Sequence, residues 1–229
     1  MRTGTGQRMG SVLALSLAAG FLAGPTFPAR AADGRDIVQN GNGHGAPACM
    51  ACHGPEGQGN PEVGYPRLSG MSETYAVHQL ESFAGGLRAN EIMGPIAKAL
   101  GDEDRRAVAA FYLGQSSAKA EGGEVPDPKL VATGEVIAAR GDWSRGLPAC
   151  GSCHGSAGQG IGIAFPALAA QPVAYLTGQL TAWKAKTRKN DALGLMAGIT
   201  RKLTDADIAA VSAYYASLPP PPTKSGRAP

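Results

Sequence analysis

The pentapeptide Cys49-Met50-Ala51-Cys52-His53 returns 101 residues later as Cys150-Gly151-Ser152-Cys153-His154. Cys-x-x-Cys-His is the attachment signature of c-type haem: the two thiols add across the porphyrin vinyl groups and the adjacent His lies under the iron. The chain has four Cys and the two motifs use all of them, so no thiol remains for a structural disulfide. A redox dithiol or a zinc site built on the four thiolates are the competing uses. The separation of the pairs is well beyond zinc-ribbon spacing.

The N-terminus agrees with this chemistry. Arg2 and Arg8 precede an apolar run from Ser11 to Gly24, followed by Ala29-Arg30-Ala31. A charged head, a short apolar run and a small-residue exit make a secretory signal peptide over residues 1–31. The run is too short for a comfortable membrane span. It contains no Arg-Arg pair and no Cys near the cleavage point, which points to export as an unfolded chain without a lipid anchor. The mature chain is expected in the periplasm, free or peripherally membrane-associated, with no transmembrane segment.

Removing the signal changes the charge. The full chain carries 21 Lys plus Arg against 18 Asp plus Glu, and Arg2, Arg8 and Arg30 leave with the signal, so the mature chain is 18 against 18. Nucleic-acid binding loses its electrostatic argument. The balance hides a split: residues 32–119 hold 7 basic and 10 acidic side chains, and residues 120–229 hold 11 and 8. Such a dipole can orient docking, with Lys184, Lys186 and Lys189 as candidates on the basic side.

The motifs sit inside a longer repeat at an offset of 100 to 103 residues. Pro47-Ala48-Cys49 matches Pro148-Ala149-Cys150, Gly57-Gln58-Gly59 matches Gly158-Gln159-Gly160, and Tyr65-Pro66-Arg67-Leu68 matches Phe165-Pro166-Ala167-Leu168. Tyr75, Gln79, Arg88 and Asn90 match Tyr175, Gln179, Arg188 and Asn190, and Phe111-Tyr112 matches Tyr214-Tyr215. A repeat of this kind sets the architecture: domain 1 over 32–114, a polar Gly/Pro-containing linker over 115–129, domain 2 over 130–218, and a Pro-rich tail over 219–229, expected to be extended. Each unit reads as all-α. Helices are predicted from Asp33 to Gly41, from Ser72 to Gly86 and from Asp102 to Leu113, and Thr204 with Asp207 forms a capping box before the final one. No segment alternates as a strand. Units this small are marginal alone, so a buried haem is expected to complete each core.

The second axial ligand decides what a haem does. Met93 lies 40 residues after His53 and Met196 lies 42 after His154, at matched positions before the last helix. Met1 and Met9 leave with the signal, Met50 is inside the attachment loop, and Met71 aligns with Gln171. His78, opposite Gly178, is the other possible ligand for the first iron, with a solvated helix face as its plainer role. Pro66 and Pro166 follow the His residues by 13 and 12 positions, where a carbonyl could accept the ring N–H. Tyr75, Tyr175, Gln79, Gln179, Arg88 and Arg188 could serve the fold or, for the Arg pair, the haem propionates.

Taken together, these residues resemble the cytochrome c4 family over nearly the whole mature chain. The likeness rests on Pro-Ala-Cys-x-x-Cys-His-Gly, Gly-Gln-Gly, Tyr/Phe-Pro-x-Leu, Tyr-x-x-x-Gln-Leu, Arg-x-Asn, the Met, and the final helix with its aromatic-Tyr pair. It implies two class I cytochrome c domains related by a pseudo-twofold. It further implies two covalently bound haem c groups on Cys49, Cys52, Cys150 and Cys153, with His53/Met93 and His154/Met196 as axial pairs. Ser69-Gly70-Met71 departs from the family's Ala-Gly-Gln, which the second unit nearly keeps as Ala169-Ala170-Gln171. The implied role is electron shuttling between a quinol-oxidising complex or dehydrogenase and a terminal oxidase or other acceptor, without substrate turnover. The alternative is the cytochrome subunit of a periplasmic dehydrogenase resembling flavocytochrome c sulfide dehydrogenase.

Overall fold

The computed structural model describes residues 1–4, 33–115, 122–123, 125–191 and 193–222. Most of the expected signal peptide, residues 116–121 and 124 of the linker, Ala192 and the tail beyond Pro222 lie outside them. The first half contains α1 (Gly34–Asn40), α2 (Met50–His53), α3 (Glu73–Ala84), α4 (Met93–Ala99) and α5 (Asp102–Leu113). The second half contains α6 (Pro128–Arg140), a 3-10 turn at Trp143–Arg145, α7 (Gly151–His154), α8 (Val173–Lys184), α9 (Leu195–Thr200) and α10 (Asp205–Ser217). Among the described residues there is no strand, only isolated bridges such as Asn60 with Tyr65. The all-α, two-domain expectation holds.

Helices begin where side chains can take their orphan N–H groups. Asp33 accepts from the Arg35 N–H and Ser72 from the Tyr75 N–H. Thr204 and Asp207 bond each other's backbone as the predicted capping box. Three helices differ from the sequence reading. α6 starts at Pro128 behind an Asp127 cap, so Pro128 and Lys129, read as linker, are helical. Proline suits that position because its missing N–H is not needed there. Each candidate Met lies in the first turn of a short helix, Met93 first in α4 with 7 residues and Met196 second in α9 with 6, too short to show a period. Pro221, in the tail read as loosely ordered, is buried.

Each domain is closed by its first helix crossing its last, α1 on α5 and α6 on α10. Glycine permits the crossing. A Cβ on Gly34 would run into the Ala107 carbonyl, and one on Gly134 into the Ala210 carbonyl. The apolar cores match position by position: Ile37, Leu100, Val108 and Tyr112 in the first domain, Ile137, Leu203, Val211 and Tyr215 in the second. Burying such side chains contributes about 1.5–3 kcal/mol each.

The described part of residues 31–229 belongs to one compact unit. The domains meet backbone to backbone at an antiparallel bridge between Arg88 and Arg188. The Ala89 N–H donates to the Thr187 carbonyl at 3.3 Å and the Lys189 N–H to the Leu87 carbonyl at 2.6 Å.

Candidate haem sites and the surface between them

Cys49 precedes α2, which carries Cys52 and ends on His53; Cys150, Cys153 and His154 stand the same way on α7. All four thiols are free and half-buried. Burial pushes the Cys49 and Cys150 thiols up. His53 Nδ1 lies 3.0 Å from the Pro66 carbonyl and His154 Nδ1 lies 2.9 Å from the Pro166 carbonyl. Each ring therefore donates its one neutral-state proton from Nδ1 and keeps the Nε2 lone pair. Burial lowers both imidazole pKa values, more than the carbonyl bond raises them, which favours that neutral, ligating form. The prolines read as ring acceptors occupy that role.

The Gly-Gln-Gly repeat wraps this corner. Gly59 and Gly160 donate to the His53 and His154 carbonyls at 2.9 and 2.7 Å. Gly57 and Gly158 have φ of 71° and 66°, and a side chain at either would strike the ring of Tyr112 or Tyr215. The final-helix tyrosines thus pack against the attachment loops.

The two distal loops differ. Asn90 Oδ1 accepts from the Ile92 and Met93 N–H groups at 3.0 and 2.7 Å and so sets the start of α4. In the second domain Gly194, at φ 66°, precedes α9, and Asp191 accepts from the Ala197 N–H at 3.1 Å. The longer loop leaves Leu193 82 % exposed. Met93 and Met196 are both half-buried. His78 lies on the exposed side of α3, its Nε2 at 3.3 Å from the Asn190 carbonyl. Lys184, read as a docking residue, is held by the Leu203 carbonyl and by Asp205 at 2.7 Å.

The six repeated polar residues come together between the domains. Arg88 donates to Tyr175 Oη at 2.9 Å and Gln179 Oε1 at 2.7 Å; Arg188 donates to Tyr75 Oη at 3.2 Å and Gln79 Oε1 at 2.9 Å. Each guanidinium also lies over an aromatic ring, Arg88 over Phe83 and Arg188 over Trp183, at 4.4 and 3.8 Å from the centroids. Burial would raise the Tyr175 phenol, but the two arginines beside it more than offset this and pull it down.

A third arginine, to which the sequence assigns no role, lies in the same surface. Arg67 is wholly buried. Gln171 clamps its backbone, accepting from the Arg67 N–H at 3.0 Å and donating to its carbonyl at 2.9 Å. Its guanidinium donates to the Ser69 carbonyl and, at 3.2 Å, to the Ala169 carbonyl. Sequence comparison within the repeat could not flag it, because its counterpart is Ala167.

The residues fit haem: each Cys-x-x-Cys-His set stands at one short helix, and its His turns Nδ1 to a proline carbonyl and leaves the Nε2 lone pair for a metal. Arg67, Arg88 and Arg188 are buried, yet among the described residues none is paired with a carboxylate. Arg67 Nε, Ser69 Oγ and Trp183 Nε1 are buried polar atoms with no partner. When bound, haem supplies a one-electron iron couple.

Comparison with known proteins agrees. The family model described as cytochrome c matches residues 31–116 and again 133–219. A protein of Thiomonas intermedia named thiosulfate dehydrogenase electron acceptor is 45% identical over 80% of this chain and 84% of its own length. Cytochrome c4 of Pseudomonas aeruginosa is 37% identical over 76% of this chain and 85% of its own. The solved cytochrome c4 of Pseudomonas stutzeri superposes with a TM-score of 0.69 at 32% identity, covering 81% of this chain and 96% of that one. A thiosulfate dehydrogenase structure from Marichromatium purpuratum gives a TM-score of 0.73 at 37% identity, covering 81% of this chain but 40% of that longer one.

Proposed function

The chain belongs to the cytochrome c family, carrying two haem c groups as an electron-transfer protein, and from that premise we propose that it accepts electrons from a thiosulfate dehydrogenase in the periplasm and passes them to a membrane oxidase. The observation that carries this reading is the pair of relatives named thiosulfate dehydrogenase electron acceptor, 45% and 43% identical over at least 80% of this chain. Cys49, Cys52, Cys150 and Cys153 hold the haems; His53 with Met93 and His154 with Met196 complete the two irons. Met/His coordination raises the reduction potential and leaves no open position for a substrate. Secretion fits covalent haem attachment, and no described helix is long and apolar enough to cross a membrane. The protein's own part is to hold each imidazole in its ligating tautomer through Pro66 and Pro166 and to keep the two haem units in one body.

Two measurements test this. Rapid mixing of the oxidised holoprotein with a thiosulfate dehydrogenase and thiosulfate should reduce both haems at rates that rise with enzyme concentration; failure to reduce either haem would reject this donor. Met93→His and Met196→His should each abolish the near-infrared Met–iron band of one haem and lower that haem's potential. An unchanged spectrum in either variant would reject that ligand. The second reading, a permanent subunit of a dehydrogenase, is favoured by the likeness to part of a longer thiosulfate dehydrogenase chain. Copurification of a stoichiometric catalytic partner from periplasm would select it.

A further inference from the structure

Asn90 and Asn190 occupy matched positions in the repeat and do different work. Asn90 stands three residues before Met93, and Asn190 stands six before Met196. Helices of 7 and 6 residues are not held by their own hydrogen bonds alone, so the ties at their first turns set where each methionine stands. The Asn90 side chain makes that tie itself, accepting from the Ile92 and Met93 N–H groups, and its carbonyl accepts from the Gly94 N–H at 2.9 Å. Side chain and carbonyl alike serve their own domain. Asn190 is turned toward the other domain. Its Nδ2 donates to Gln79 Oε1 at 2.7 Å, its Oδ1 accepts from Arg188 Nε at 3.0 Å, and its carbonyl accepts from His78 Nε2 at 3.3 Å. Gln79 is buried, and the same oxygen also receives Arg88 and Arg188.

The next residue carries this anchorage to α9. The Asp191 carboxylate accepts at 3.1 Å from the N–H of Ala197, directly after Met196, and its carbonyl accepts from the Gly194 N–H at 3.0 Å. Gly194 itself supplies no side-chain cap. Among the described residues no matching line runs back to Met93: His78 stands opposite Gly178, and Gln179 receives Arg88 and Arg188 but not Asn90.

We propose that Gln79 and His78 are positioning residues for the second haem: acting through Asn190 and Asp191, they hold Met196 on its iron from the opposite domain, whereas Asn90 holds Met93 from within. The coupling across the interface therefore runs one way, and whatever loosens the interface frees Met196 before Met93. Freed, Met196 yields its place to a neutral base: the iron–sulfur bond breaks, a bond to the incoming lone pair forms, and no electron or proton is transferred. The inference rests on the methionine ligation proposed above and makes no use of the electron donor.

The test titrates the oxidised holoprotein with imidazole and follows each haem through the NMR signal of its ligand methionine. Gln79→Met removes the acceptor and should raise imidazole affinity about tenfold at the second haem, the worth of one hydrogen bond, with the first haem within about twofold of its unaltered value. Gln79→Glu keeps an acceptor oxygen and should restore the unaltered affinity. Gln179→Met, the mirror change, should leave the first haem as it was. Equal rises at both haems in Gln79→Met, or a rise at the first haem in Gln179→Met, would overturn the proposal. If Gln79→Met does not load haem, His78→Ala on the exposed side of α3 gives the same reading at about threefold; no rise at the second haem rejects it. Methionine signals that are present but unmoved would remove this inference alone. Their absence from the unaltered protein would remove the ligation and this inference with it. A protein that passes here and fails with thiosulfate dehydrogenase would lose only its proposed donor.

Discussion

The two domains use the same positions with different chemistry to tie the loop after the first helix to the last helix. In the first domain the tie is neutral at its centre: the Asn42 amide donates to the Ala99 carbonyl at 2.7 Å and to Asp104 at 2.9 Å, while its oxygen receives the His44 and Ala46 N–H groups. In the second, Asp142 stands at that position and Arg145 bridges it to Asp207, at 2.7 Å on each side. The fold specifies that a tie exists, not which chemistry makes it. Where the repeat must be identical, backbone is involved. Gly34 and Gly134 face carbonyls, and no side chain can substitute for their absence of one.

The largest expected effect tests that identity. Gly34→Val and Gly134→Val should each destabilise their own domain by about 3 kcal/mol or more, because overpacking here meets backbone rather than a movable side chain. Thermal unfolding and the haem content of each proteolytic half would measure it. A mild effect in one half would break the equivalence of the crossings.

Next in size is the interface. Gln171→Met removes both bonds to the Arg67 backbone and leaves a buried N–H and carbonyl unpaired, a loss of about 3 kcal/mol. Met71→Gln, at the matched position on the other side, should change stability by less than about 1 kcal/mol. Denaturant titrations of both variants decide whether the asymmetry is real; equal losses would erase it.

The smallest effect depends on pH. Hydrogen bonds from Ser144 and then Arg145 hold the Asp142 carboxyl down at about 2. Asp207 is also lowered: burial opposes, but its bonds from Arg145 and Thr204 outweigh it. A carboxylate with a depressed folded pKa stabilises above its unfolded value, roughly 3.9, and loses that contribution as pH falls through its folded value. The melting temperature of Asp142→Asn should therefore lie below that of the unaltered chain at pH 6 and converge with it near pH 2. A difference that persists at pH 2 would show that the carboxylate's charge is not what the tie needs. The first domain, built on Asn42, should show no comparable trend in Asn42→Ala.

Much of this was legible in the sequence because the chain is its own alignment. Two Cys-x-x-Cys-His motifs and the offset of Tyr75, Gln79 and Arg88 from Tyr175, Gln179 and Arg188 marked the fold and the repeated polar set. What those polar residues touch was not legible. Their partners in the other domain lie 87 to 113 residues away, and no local pattern encodes a contact across that distance. The first glycines of α1 and α6 were missed for a related reason: Gly34 and Gly134 read as weak helix formers until the crossing helix is seen. Arg67 was invisible because a repeat shows what is shared, and this residue is not.

Arg88 reaches Tyr175 and Gln179, and Arg188 reaches Tyr75 and Gln79. A surface whose residues contact one another's counterparts in return is the surface of a homodimer, self-complementary and built by one protein meeting its own copy. Here the two copies are joined in one chain, so each can change alone. In a true dimer, replacing the clamp glutamine would remove both clamps at once. In this chain Met71 has given up one while Gln171 keeps the other, and covalent fusion is what lets the pair become unequal without coming apart.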